Sequence, residues 1–162
     1  MARTGPTSAS SSSETPRVSG FGGKGWEIMQ IKDKIQEWAD RLRPLSGMYR
    51  LEYLIELGRK LEPIDSKLKT DSFKIHGCAS NLWLVPKFEK YTLILSADAD
   101  AFITRGTAYM VLDILNGQRY DSLKKIQREN FAPLGMAELL SVQRQNGLGL
   151  LITTIKKYAE NR

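Results

Sequence analysis

Cys78 and His76 are the sole cysteine and the sole histidine of the 162-residue chain, and both lie in the stretch HGCASNLW, residues 76–83. A thiol and an imidazole this close suggest a nucleophile. In a bent loop a neighbouring imidazolium lowers the thiol pKa and raises the thiolate fraction. A Cys-His hydrolase or transferase using Cys78 and His76 is therefore one reading. It also needs an oriented base and an oxyanion hole, and no further pattern in the chain identifies either. The plainer alternative is a small buried thiol beside a solvated histidine. Position favours a chemical role. Gly77 gives the backbone freedom, Ala79 and Ser80 leave the sulfur approachable, and strand-connecting loops are where functional groups concentrate. One cysteine excludes an internal disulfide and a Cys-only zinc site, and it speaks against a cluster-holding scaffold, which needs several thiolates.

The elements around this loop follow from periodicity. Ile31, Ile35, Trp38 and Leu42 form one helical stripe closed by Pro44, and Ser46 is placed to cap a second helix carrying Met48, Leu51, Leu54, Ile55 and Leu61, stopped before Pro63. The period then shortens. Phe73 to Ile75, Leu82 to Phe88 and Tyr91 to Ser96 read as three short strands, with Pro86 marking an edge or an irregularity. Cys78 falls in the connection between the first two. Asp98 or Asp100 is placed to cap a helix bearing Ile103, Tyr109, Met110 and Ile114, which ends at Asn116-Gly117. A shorter helix begins at Asp121, a break follows at residues 132–135, and a helical piece spans 136–140. The last helix, about 145–159, carries Leu148, Leu151, Ile152, Ile155 and Tyr158. Helices, a meander and more helices give an α+β fold, a small antiparallel three-stranded sheet packed against N- and C-terminal helices.

Residues 1–28 differ from the rest. They are rich in Ser, Thr, Gly and Pro and lack apolar periodicity, so they read as a flexible or expression-derived leader with a natural start near Met29. A plastid transit segment is the other reading. Residues 29–162 form one domain. The formal charge of +6 is modest and its Lys and Arg are scattered among acids, so neither a nucleic-acid interface nor a membrane span is indicated. A lone free thiol suits a reducing compartment, which points to the cytoplasm.

Four ordered stretches carry a resemblance: GCASNLWL (77–84), YLIELGRKL (53–61), DADAFITRG (98–106) and SVQRQNGL (141–148). Together they resemble the SufE family of sulfur acceptors, which partner cysteine desulfurases, from about Ile31 to the C terminus. The related NifU-like type shares the fold class. Two positions depart from the family's pattern: His76, where a neutral polar residue is common, and Ala99, where serine is frequent.

The resemblance implies a job for Cys78: its thiolate takes persulfide sulfur from a pyridoxal-phosphate-dependent, SufS-like desulfurase by transpersulfuration and stimulates that enzyme. The sulfur then passes to an iron–sulfur assembly scaffold of SufB-like type. The pyridoxal phosphate belongs to the desulfurase, so no cofactor or metal of the chain's own is implied, and the chain acts as a carrier, not an enzyme. A homodimer fits this picture. Gly77, His76, Arg144 and Asp98 are the candidate supporting residues. Phe73, Leu82 and Trp83 are candidate walls of a shelter from which the cysteine loop is released on docking.

Overall fold

In the computed structural model the described residues are 24–162, with side chains from Gln30 onward. The leader expected over 1–28 therefore lies outside the described residues as far as residue 23.

Helix α1 (Lys24–Leu42) buries the expected stripe of Ile31, Ile35, Trp38 and Leu42. Helix α2 (Gly47–Lys60) has Ser46 at its N-cap position, but that side chain makes no capping bond. Its buried face is Leu54, Leu57 and Gly58 rather than one starting at Met48, which is 71% exposed, because only the later turns reach the core. Strands β1 (Leu82–Phe88) and β2 (Leu93–Ala99) pair antiparallel, Leu82 opposite Ala99 and Phe88 opposite Leu93. Alternation places Leu82, Leu84, Leu93, Leu95 and Ala97 in the core.

The sheet has two strands among the described residues, not the expected three. Phe73 to Ile75 does lie along β1. Ile75 N–H donates to Leu82 O at 2.8 Å and Leu84 N–H to Phe73 O at 2.9 Å, yet only a single bridge, Lys74 to Trp83, results. Turns closed by Phe73 N–H to Thr70 O and Lys74 N–H to Asp71 O crowd one side, and Gly77, at φ +96°, bends the chain away on the other. Too little extended backbone remains for a ladder. The strand expected over 91–96 begins later, at Leu93, because Thr92 bridges to Arg119 and its carbonyl closes a turn with Glu89 N–H.

Helix α3 (Phe102–Leu115) forms the centre of the core, burying Met110, Val111, Ile114 and Leu115. Neither Asp98 nor Asp100 caps it. The N-cap is Ala101, without a side-chain bond, and both carboxylates are taken by other partners described below. Helix α4 (Tyr120–Leu123) is followed by a 3₁₀ helix (Arg128–Leu134), so the expected break at 132–135 is itself helical until Gly135, at φ +70°. Helix α5 (Met136–Leu139) leads into α6 (Val142–Glu160). The last helix starts three residues before the expected Gln145, because Ser141 Oγ accepts from Arg144 N–H at 3.2 Å. Among the described residues no helix is long and apolar enough to cross a membrane.

Helices α2 and α3 cross unusually closely. A Cβ on Gly106 would stand 1.9 Å from Leu54 O, and one on Gly58 would stand 2.3 Å from Phe102 O. Both glycines belong to stretches noted in the sequence, and their reason is this crossing. The contact fixes α3, which carries one wall of the cysteine site.

Candidate functional site

The cysteine loop hangs between two fixed points. On its N-terminal side Ile75 is buried and bonded to Leu82. Gly77 then takes the left-handed region that glycine adopts readily and other residues avoid. On the C-terminal side Ser80 Oγ shares a 2.7 Å hydrogen bond with Thr104 Oγ1 of α3. Asn81 is held by Asp100, whose carboxylate accepts from the Asn81 backbone N–H at 3.0 Å and from its Nδ2 at 2.7 Å. Between the anchors, His76, Gly77 and Ala79 are exposed while Cys78 is half-buried.

Cys78 turns inward toward α6. Its Sγ lies 3.0 Å from where a Cβ on Gly147 would stand. Beside it is a small cavity of about 20 Å³, walled by Leu82, Ile103, Thr107, Leu148, Leu151 and the Arg144 side chain. That volume admits about one water-sized atom. Burial pushes the Cys78 thiol above its ordinary pKa, because a thiolate in apolar surroundings loses its hydration. Arg144 Nη1 donates to Thr104 Oγ1 at 2.7 Å. Thr104 accepts from the guanidinium and shares its second hydrogen bond with Ser80, so one hydroxyl joins α6, α3 and the cysteine loop.

Of the residues singled out in the sequence, Cys78, Gly77 and Arg144 meet at this place. His76 does not join them: it is exposed, and among the described residues no hydrogen bond links it to the thiol. Asp98 is elsewhere, 1% exposed at the end of β2. It pairs with Arg105 and, at 3.2 Å, with Lys69 Nζ, and it accepts from Ile64 N–H at 3.2 Å. Arg105 also donates to Gly58 O at 2.9 Å and to Leu61 O, so this cluster ties the end of α2 to β2. The carboxylate is committed to the part-buried Arg105 guanidinium, which is why it does not cap α3. Leu82 walls the cavity as expected, whereas Phe73 and Trp83 do not line it. The Trp83 ring has Lys69 Nζ 5.3 Å from its centroid. Sequence reasoning missed Thr104, the anchoring role of Asp100, and Gly147. All three sit inside the recognised stretches, but only their contacts with Arg144, Asn81 and Cys78 show what they do.

The family description SufE, "Fe-S metabolism associated domain", matches residues 29–159. An uncharacterized SufE-like protein of Rhizobium meliloti is 37% identical over 133 residues, covering 79% of this chain and 89% of the relative. The cysteine desulfuration protein SufE of Plasmodium falciparum is 26% identical over 123 residues, covering 73% of this chain and 49% of that protein. A solution structure of a hypothetical protein from Thermus thermophilus superposes with a TM-score of 0.65 at 15% identity, covering 79% of this chain and 94% of that one, a likeness of fold.

Proposed function

The chain belongs to the SufE family, whose domain is associated with Fe–S metabolism, and on that premise we propose that Cys78 is its sulfur-accepting residue. The thiolate attacks the outer sulfur of a persulfide presented by a cysteine desulfurase. A new S–S bond forms to Cys78, the old one breaks, and its electron pair leaves on the desulfurase cysteine, which takes up a proton. Accepting the sulfur clears the desulfurase for its next turnover, which is how the chain stimulates it. The persulfide sulfur then passes to an iron–sulfur assembly scaffold. A reducing compartment belongs to this reading, because a free thiol persists there.

The observation that carries the reading is the placement of the chain's sole cysteine: half-buried, on a glycine-hinged loop, facing a cavity with room for about one further atom. Persulfides are readily oxidised, so a carrier gains from an inward-facing sulfur that is released only when a partner docks. The hydrolase reading lacks support, since His76 is exposed and does not contact the thiol through a hydrogen bond. The test is intact-protein mass after incubation with a desulfurase, pyridoxal phosphate and cysteine. The wild type should gain one sulfur that a reductant removes, and Cys78→Ser none. A wild type left unmodified by a competent partner would overturn the reading.

A further inference from the structure

Gly147 stands in the second turn of α6 and is buried. Glycine inside a helix costs stability relative to alanine, so its presence calls for a reason. The three atoms nearest to a Cβ there all belong to Cys78. A Cβ at 147 would stand 3.0 Å from Cys78 Sγ, 3.5 Å from its Cβ and 3.9 Å from its Cα. The first distance is well inside ordinary contact, and all three atoms belong to the same side of the loop. The other two are ordinary van der Waals distances, so it is the sulfur that must give, by a few tenths of an ångström. The loop can yield outward, since His76, Gly77 and Ala79 are exposed and the anchors at Ile75, Ser80 and Asn81 lie outside the moving part. Inward there is little room, because the cavity beside the sulfur holds about one water-sized atom and is closed by Leu82, Ile103 and Leu151.

We propose that Gly147 is the positioning residue that keeps the Cys78 sulfur turned inward, so that side-chain size at 147 sets how far the thiol is presented before any partner arrives. This rests on the sulfur-acceptor reading for its biological meaning, but its physical content is independent of it.

The test is alkylation of the free, full-length chain by iodoacetamide, followed by intact mass. Gly147→Ala should label about tenfold faster than wild type, a shift of about 1.4 kcal/mol in the loop's inward–outward balance, and the midpoint of its rate–pH profile should fall as the released thiol regains water. Gly149→Ala is the control. Its Cβ would meet Arg128 Nη1 at 2.7 Å, the movable end of an exposed side chain, so it should label like wild type. Folded Gly147→Ala labelling at the wild-type rate would overturn the proposal. Where the substitution lowers the melting temperature, Cys78→Ala in the same chain should restore it toward that of Cys78→Ala alone. An undiminished cost without the thiol would overturn it equally. No desulfurase enters these measurements, so a wild type that never accepts sulfur would defeat the carrier reading and leave this result standing.

Discussion

Arg144 reaches from α6 to α3 and donates to the Thr104 hydroxyl at 2.7 Å, and the same hydroxyl holds Ser80 of the cysteine loop. A guanidinium, a hydroxyl and a serine thus fasten the three segments around the thiol. Thr104→Val keeps the shape and removes the shared oxygen, leaving Arg144 and Ser80 each short of a partner. Hydrogen bonds to charged groups contribute more than neutral ones, so the variant should lose about 1–2 kcal/mol of stability. Thr104→Ser should stay near wild type. Urea midpoints decide this, and equal midpoints for all three proteins would show that the strap holds nothing.

Asp98 and Arg105 serve the scaffold, and their loss should separate folding from thiol chemistry. Asp98→Asn leaves the Arg105 guanidinium, 15% exposed, without its carboxylate. Breaking one side of a buried pair costs about 3–5 kcal/mol, and the backbone acceptors that Arg105 keeps place this case at about 3. The urea midpoint should fall accordingly, while the labelling rate of Cys78 in the folded protein stays close to wild type. A large change in labelling without loss of stability would move Asp98 into the site.

The fold was legible where one local rule decided the outcome. The stripe Ile31, Ile35, Trp38 and Leu42 needed only a helical period, and Asn116-Gly117 ended α3 as a stop signal should, with Gly117 at φ +80°. It was misread where tertiary partners overrode a local preference. Asp98 looks like a cap in sequence, but Arg105, further along α3, and the distant Lys69 claim it. Phe73 to Ile75 alternates like a strand, but its neighbours turn too soon for a ladder. At the site, Cys78 was visible as the sole thiol, whereas Gly147 is silent in sequence because its role is an absence of atoms facing a residue far along the chain.

His76 invites a reactive-thiol explanation that its exposure argues against. A solvated imidazole without a hydrogen bond to Cys78 has little leverage on a thiol whose proton is held by burial. His76→Ala should therefore leave the midpoint of the alkylation–pH profile within about 0.2 unit of wild type. A rise of about a unit in the variant would restore His76 as the thiol's activator.

The last expectation follows the thiol proton through unfolding. Burial raises the Cys78 pKa in the folded protein above its value in the unfolded chain. Below the ordinary thiol pKa, both states hold the proton and the shelter's contribution is fully present. As pH rises past that value, the unfolded chain ionises first, so it binds fewer protons than the folded one and stability falls, until the folded thiol also ionises. Tyr158, also raised by burial, adds a similar loss, starting higher because phenols ionise later. Comparing wild type with Cys78→Ser removes the thiol's share and leaves the tyrosine's. Between about pH 7 and about pH 9.5, where thiols rather than phenols begin to titrate, the melting temperature of wild type should drop more than that of Cys78→Ser. Parallel curves would mean that the thiol ionises as readily in the folded protein as in the open chain, and the inward-facing sulfur would then be no shelter.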